Sequence, residues 1–151
     1  MYKIIEASSD ENERITNYLS INNEASFYHL PKWVDILSKE SGQKAIKLLC
    51  LDEHDNIVGY IPLLYTKGLP FGLGGILASQ RLASLPRSPI AGPIADDAEV
   101  LKLLIDSAIE IAKSKPKIIL QLKYECGNLD QIEDKLIRVP WRKSYYKELP
   151  P

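Results

Sequence analysis

The apolar face of residues 97–113 constrains the fold more than any other feature of the sequence. Apolar side chains recur along it at helical spacing, at Leu101, Leu104, Ile105, Ala108, Ile111 and Ala112. Val100, Leu103 and Ile109 widen the face, so we expect this helix to be buried on more than one side. An apolar strand, KIILQLKYE, follows at 117–125. The two segments together predict a helix packed on a sheet, with a strand buried on both of its faces.

The remaining segments predict a mixed α/β domain in which helices and strands are interleaved around one sheet. The polar run EHD at 53–55 lies between two β-rich runs and predicts a hairpin. Pro62 in the second run has no N–H to donate, so we expect an edge or a bulge there. The predicted elements are a strand at 2–6, a helix at 10–21, a helix from Pro31 to Gly42, strands at 44–52, 56–67 and 81–85, the helix at 97–113, the strand at 117–125, a short helix at 128–137 and a strand at 141–149.

The composition is that of one ordinary globular domain of 151 residues. A formal net charge of −1 argues against a polycation, and 45% hydrophobic residues argue against wholesale disorder. No apolar run approaches the roughly 20 residues that a membrane-spanning helix needs. The N-terminus turns acidic where a signal peptide would be apolar, and two cysteines are too few for a disulfide framework. We therefore predict a cytoplasmic protein with reduced cysteines.

Residues 67–95 form the best candidate for a binding site. They hold five of the eight glycines and no acidic residue, while Arg81 and Arg87 lack a partner nearby in the sequence. Arginine binds carboxylates and phosphates through its planar guanidinium group, and a glycine such as Gly92 lets backbone N–H groups approach a ligand. One interpretation is therefore a groove for an anionic substrate, with Tyr65 as a further lining residue. The alternative is a turn-rich edge whose two arginines pair with acids from elsewhere in the chain.

Motifs for metal, covalent or nucleic-acid chemistry are absent from the sequence. No histidine or cysteine pair has metal-ligand spacing, and no G-x-S-x-G segment is present. His29 precedes a helix start, where a capping or packing role is favoured over that of a general base. Cys50 lies in an apolar strand and is predicted to pack in the core. The tail at 141–149 interleaves aromatic and basic residues, which favours a half-buried strand over a nucleic-acid surface, and we expect no DNA partner.

Several stretches, taken together and in order, resemble the Fem-type aminoacyltransferases, a branch of the GNAT acetyltransferase superfamily. The aromatic pair before Pro31 and Trp33 is the first mark, the run from Gly59 to Pro62 the second, and Leu85-Pro86 followed by Ala91-Gly92-Pro93 the third. The resemblance covers roughly residues 25–125. The matching stretches are FYHLPKWVDIL, IVGYIPLL, RLASLPRSPIAGPIAD, the long apolar helix and IILQLKY.

The resemblance implies a GNAT-like, mostly antiparallel sheet with helices on both faces. Fem-type proteins carry two such units in tandem and transfer an amino acid from aminoacyl-tRNA to a peptidoglycan precursor. Residues 1–151 would then be one GNAT-like domain, the N-terminal unit of a tandem pair. A second unit or a homodimer partner would complete the cleft. This unit would bind an anionic small-molecule or lipid-linked cell-envelope precursor through Arg81, Arg87, Gly92 and Tyr65.

The chain departs from the superfamily where acetyl-coenzyme A enzymes bind pyrophosphate. Those enzymes use a Q/R-x-x-G-x-G/A loop leading into a helix, and this chain has SPIAGPIADD before residues 97–113. Pro93 removes one backbone donor. We therefore expect no cofactor on this unit, with aminoacyl-tRNA or acyl-coenzyme A as the donor of the complete enzyme. Two alternatives stay open, a stand-alone acetyl-coenzyme A-dependent N-acetyltransferase and a non-catalytic interaction or substrate-docking module.

Overall fold

The protein is described here by a computed structural model. The residues that the structure describes are 1–66, 80–86, 88, 90–116, 118–124 and 136–137. The predicted helix at 128–137 and strand at 141–149 therefore lie almost wholly outside the described residues, as does Arg87. No helix in the described part of the chain combines the length and the hydrophobicity needed to cross a membrane.

The described elements follow the predicted order closely. In chain order they are β1 (Lys3–Glu6), a 3-10 turn (Ser9–Glu11), α1 (Asn12–Ser20), a second 3-10 turn (Phe27–His29), α2 (Pro31–Ser41), β2 (Ala45–Leu51), β3 (Ile57–Thr66), β4 (Gln80–Ala83), β5 (Ile94–Ala95), α3 (Ala98–Lys113) and β6 (Ile118–Gln121).

Local sequence signals begin and end the helices and the hairpin. Pro31 is the first residue of α2, where its missing N–H costs no hydrogen bond. Gly42 ends α2 with a φ of 63°, a left-handed conformation that glycine adopts without a steric penalty. In the turn between β2 and β3, the Asp52 carboxylate accepts the N–H groups of His54 and Asn56, each at 2.8 Å. These predictions of element ends are confirmed.

The sheet is mixed, and in the part of the chain that the structure describes all but one of the strand pairs are antiparallel. The strand order is β1-β2-β3-β4-β6, β5 pairs with β3, and β4 with β6 is the parallel pair. Alternate residues of the central strands face opposite layers. On one face α3 packs over Leu48, Ile61 and Leu82. On the other, α1 packs over Leu49 and Tyr60, and α2 lies over the end of β3 nearest β4. The predicted fold class, with helices on both faces, is confirmed.

Within the described residues, no strand pairs with the middle of β3 on the side that faces β4 and β5. The ladder to β5 includes Gly59 and Tyr60, and the ladder to β4 begins at Leu64. Pro62 lies in the gap, where its missing N–H removes no ladder bond, while β2 pairs with β3 in regular register past it. The expected edge at Pro62 is therefore present. The gap is where the chain leaves the sheet after β4 and returns as β5.

One prediction about β6 is wrong. The apolar run at 117–125 was expected to be buried on both faces, but Ile119 is 51% exposed. The exposure of Ile119 follows from how the helices cover the two faces of the sheet. On the α3 face, Ile118 and Leu120 pack against the helix, whereas the described parts of α1 and α2 pack over β2, β3 and the segment after β4 and leave β6 uncovered.

Candidate substrate-binding site

The candidate site is built where β4 and β6 part. After Ala83 the chain leaves the sheet, and it rejoins β3 at Ile94. We call residues 84–93 the β4 excursion; all of it but residues 87 and 89 is described. Its buried side chains include those of Ser84, Leu85, Ser88, Ala91 and Pro93. The described residues of the excursion are thus packed into the domain.

Lys123, two residues beyond β6, fastens the excursion through its backbone and its side chain. Its N–H donates to Ser84 Oγ at 2.7 Å, in place of a strand carbonyl. Its Nζ donates to the carbonyl oxygen of Ser88 at 2.7 Å and to that of Leu85 at 3.3 Å. Burial lowers the pKa of the Lys123 ammonium. Among the described residues, no carboxylate forms an ion pair with Lys123. The dipoles of the two carbonyl groups stabilise its half-buried charge instead.

Leu85 carries backbone strain at the start of the excursion. Its φ is 38°, in a region that side chains other than glycine rarely adopt, and its side chain is fully buried. Such a conformation costs roughly 1–3 kcal/mol and persists only where the surroundings impose it. Here the surroundings are the Lys123 contact on its carbonyl oxygen and the α2 side chains that pack on its side chain.

Gly92 and His29 hold the other end of the excursion. A Cβ on Gly92 would lie 2.7 Å from the Lys123 carbonyl oxygen and 2.9 Å from the Tyr124 ring, so a larger residue does not fit. The Gly92 carbonyl oxygen lies 3.2 Å from His29 Nε2. His29 Nδ1 accepts the Ser26 N–H at 3.0 Å, which places the ring proton on Nε2. Burial lowers the pKa of His29, so the ring is neutral and donates to Gly92. The predicted capping and packing role of His29 is confirmed.

The aromatic residues before α2 pack beside this end of the excursion. Phe27, Tyr28 and Trp33 form a ring cluster with centroids 5.0 to 6.3 Å apart. Tyr28 and Trp33 also pack on the cluster that contains Leu85 and Ala91. The FYHLPKW stretch therefore positions the excursion from the helical side.

Arg81 and Lys123 lie on the same face of the sheet. Arg81 pairs with Ile119 across the β4–β6 ladder, and strand alternation puts Gln121 and Lys123 on that same side. We call these four residues the shelf. Arg81 and Ile119 are exposed, and Gln121 and Lys123 are half-buried. The shelf extends roughly 13 Å along β6, at about 3.3 Å per residue. Arg81 and Ile119 lie at one end and Lys123 at the other, with Gln121 between them.

The structure does not bring all four predicted site residues together. Tyr65 pairs with Leu82 and packs on the α3 face, opposite the shelf, with Lys115 Nζ 3.9 Å from its ring centroid. Arg81 lies on the shelf, and Gly92 packs against Lys123 and Tyr124. Arg87 lies outside the described residues. Lys123 was not predicted as a site residue, because its contacts with the excursion span 35 to 39 residues of sequence.

Comparison with known proteins relates this fold to acetyltransferases. A Trypanosoma brucei acetyltransferase superposes with a TM-score of 0.60 at 17% identity, covering 97% of this chain and 99% of that chain. The aminoglycoside 6'-N-acetyltransferase AAC(6')-Ih from Acinetobacter baumannii has a TM-score of 0.52 at 11% identity over 100% of both chains. A predicted acetyltransferase from Clostridium acetobutylicum, solved with acetyl-CoA, has a TM-score of 0.52 at 11% identity over 96% of both chains. No protein-family model and no curated protein matches the chain.

These likenesses define the class of fold. The chain has the mixed α/β fold of the GNAT acetyltransferases, with the mostly antiparallel sheet that the sequence analysis predicted. At such low identity the likeness is one of fold, so the Fem-type assignment stays a prediction.

The start of α3 does not fit the pyrophosphate of coenzyme A, the donor that this fold implies. Phosphates bind helix N-termini through free N–H groups and the positive end of the helix dipole. Here Asp97 caps α3, and its Oδ1 accepts the Val100 N–H at 2.8 Å. Asp96 precedes it and Glu99 lies in the first turn, so three carboxylates surround the position. Pro93 contributes no N–H. These residues repel a diphosphate where the resemblance would place one.

Proposed function

We propose that the chain is an N-acyltransferase unit that holds an acceptor amine against an activated acyl carbonyl. Its fold likeness to acetyltransferases, over nearly the whole length of both chains, supports acyl transfer as the reaction class. The observation that carries the proposal is the parting of the parallel strands β4 and β6 at Ser84. A strained, fastened excursion and a half-buried ammonium meet there, at the open end of the sheet.

Acyl transfer requires mainly that the two reactants are positioned and that the negative charge on the carbonyl oxygen is stabilised. A neutral amine forms a C–N bond to the acyl carbonyl carbon, and the carbonyl oxygen becomes negative. The bond to the leaving group then breaks, and the proton lost by the amine goes to the leaving group or to water. Holding the two reactants in place supplies much of the rate. A fixed positive charge or N–H donor near the oxyanion supplies more. The Lys123 ammonium is a fixed charge beside the excursion, and the backbone near Gly92 is held rigidly enough to orient a substrate.

The shelf favours an acceptor that carries anionic groups. Arg81 is exposed at one end and Lys123 is half-buried at the other. Among the described residues neither has an ion-pair partner. The Arg81 charge is open to a substrate, whereas Lys123 Nζ already donates to two carbonyl oxygens of the excursion. Ile119, which pairs with Arg81 across the ladder and is exposed, offers apolar contact beside it. We assign acceptor binding to this face, with Arg87 as a further contact expected from the sequence, and we leave Tyr65 out because it lies on the opposite face.

A Fem-related unit that docks a cell-envelope precursor is the second candidate. The observation that favours it is the acidic start of α3, which suits a unit that holds the acceptor while the donor binds elsewhere. A second GNAT-like unit or a second copy of the chain would then complete the cleft. The likeness to acetyltransferases favours the first candidate, because those proteins match this chain from end to end.

The test of acyl transfer is an amine-dependent assay with acetyl-CoA at about 1 mM, a high concentration relative to typical KM values. Amide product is followed by mass spectrometry over a panel of primary amines with and without a carboxylate or phosphate. We expect product with anionic amines, a large loss in Lys123→Met, and little change in Lys102→Met. Lys102 is a matched control because it pairs with Asp106 on α3, away from the shelf.

The two candidates differ in the ligand that they bind. Calorimetric titration with a muramyl-peptide nucleotide should show binding that Arg81→Ala and Arg87→Ala weaken together if the chain docks a cell-envelope precursor. Absence of amide product together with such binding would favour the Fem-related candidate. Absence of both would remove the proposed function.

A further inference from the structure

We infer that the acyl donor of this unit is held without a diphosphate contact at the start of α3, because the chain's own carboxylates already occupy that position. The inference rests on the proposed acyl transfer and names the class of donor. The donors that fit carry their acyl group with no diphosphate within reach of α3, as an acyl or aminoacyl ester does. Coenzyme A fits only if its diphosphate lies elsewhere.

Asp97 takes the place that a bound phosphate would take. One carboxylate oxygen accepts the Val100 N–H, and the other accepts the Tyr2 hydroxyl at 2.9 Å. The carboxylate is therefore held by α3 and by the chain next to β1 at once. A phosphate can reach this N–H only by displacing an internal anion that is already hydrogen-bonded on both oxygens.

Asp96 is fixed in the same way by a different part of the fold. Its Oδ1 lies 2.8 Å from the Tyr18 hydroxyl of α1, and its own N–H donates to the Val58 carbonyl oxygen at 3.0 Å. Burial, together with Asp96, raises the pKa of Tyr18, so the phenol stays protonated and able to donate. The Asp96 N–H is thus engaged with β3 and is not available to a phosphate.

The charge of the helix start opposes a diphosphate as well. Glu99 adds a third carboxylate in the first turn, and no basic residue lies in that turn. The nearest lysine along α3 is Lys102, which is paired with Asp106 at 3.0 Å. Three elements, β3, α1 and the β1 end of the sheet, hold the two aspartates, so the exclusion is built into the packing of the domain.

The test compares two pairs of substitutions that remove the same charge. Asp96→Asn with Asp97→Ser removes two carboxylates at the helix start and keeps a side chain able to cap α3. Asp106→Asn with Glu110→Gln removes two carboxylates farther along the same helix. Coenzyme A and inorganic pyrophosphate are titrated into the wild type and both variants by calorimetry at low salt. We expect the wild type and the second variant to bind equally and weakly, as at the shelf, and the first variant alone to bind about tenfold more tightly, since helix termini attract anions.

Each outcome is decisive. Wild-type binding of coenzyme A that the first pair of substitutions leaves unchanged or weakens would overturn the inference, as would an equal gain in both variants. If the first variant fails to fold, Asp96→Asn alone keeps the Asp97 cap and is expected to show a smaller gain, absent from Asp106→Asn. Amide formation in the acyl-transfer assay is a separate readout. A wild type that binds coenzyme A through α3 and forms amide would end this inference and leave the proposed function standing.

Discussion

His29 donates a hydrogen bond from Nε2 to the carbonyl oxygen of Gly92, at 3.2 Å and across 63 residues of sequence. The bond joins the turn before α2 to the end of the β4 excursion. Ser26 completes the arrangement by donating its N–H to His29 Nδ1. The buried, neutral ring accepts a hydrogen bond at Nδ1 and donates one at Nε2. These two hydrogen bonds fix the position of the excursion relative to α2.

The His29 contact predicts a pH dependence of stability. Burial lowers the pKa of His29 in the folded state, so protons bind more readily to the unfolded chain. Stability is therefore present in full above the unfolded pKa of about 6.5 and falls as the pH drops below it. One proton contributes at most about 1.4 kcal/mol per pH unit to the free energy of unfolding.

Urea unfolding of the wild type and of His29→Phe between about pH 5.5 and pH 7.5 measures this dependence. Phenylalanine fills the space but cannot be protonated, so the stability of the variant should depend less on pH than that of the wild type. Its stability at the upper pH should be lower by about 1–3 kcal/mol for each buried polar group left unpaired. Parallel pH slopes in the two proteins would show that His29 is not the group responsible.

Gly92→Ala should destabilise the domain by about 1–3 kcal/mol, the usual cost of forcing an atom into a packed site. The added Cβ would press on the Lys123 backbone and the Tyr124 ring. Gly42→Asn is the matched control, since no atom lies within 4 Å of a Cβ there and asparagine tolerates positive φ. Denaturant titration compares the two. An equal loss of stability from both substitutions would mean that the close contacts at Gly92 do not affect the free energy of unfolding.

Lys123→Met should lower stability by about 1–3 kcal/mol, because the carbonyl oxygens of Leu85 and Ser88 lose their donor. Lys123→Arg keeps a charged donor and should recover part of the loss. Amide hydrogen exchange should quicken in the described residues of the excursion and leave the hairpin of β2 and β3 unchanged. Unaltered exchange in the excursion would contradict its attachment to Lys123.

Asp97→Ala should cost about 1 kcal/mol as a lost helix cap, with a further loss from the freed Tyr2 hydroxyl. Asp97→Ser keeps an N-cap acceptor and should recover most of the difference. Thermal unfolding of both variants measures it. If serine is as destabilising as alanine, the stabilisation comes from the charge of Asp97 and not from its capping hydrogen bond.

Elements with a strong local signal could be predicted from the sequence. Four local signals each determine a short segment by contacts within a few residues. They are the apolar face of α3, the proline that begins α2, the glycine that ends α2 and the polar turn at Asp52. The resemblance added the correct superfamily fold, which the solved acetyltransferases share.

The candidate site depends on contacts that the sequence does not display. Lys123 meets Ser84, Leu85 and Ser88 across 35 to 39 residues, and His29 meets Gly92 across 63. No local sequence pattern predicts that the side chain of this lysine contacts carbonyl oxygens of the excursion. Arg81 lies in the acid-free stretch 67–95 and Tyr65 just before it, which suggested a common groove. Tyr65 pairs with Leu82, the neighbour of Arg81, so the two side chains lie on opposite faces of the sheet.

The most direct measurement is an amide chemical-shift titration of the labelled chain with inorganic pyrophosphate, used as a simple anion. The account predicts shifts at Arg81, in the β4 excursion and around Lys123, with none at Asp96 to Glu99. Lys123→Met should abolish the shifts at its own end of the shelf, and Lys102→Met should not. Shifts concentrated at the first turn of α3, with the shelf silent, would contradict both the proposed acceptor site and the exclusion of a diphosphate from the helix.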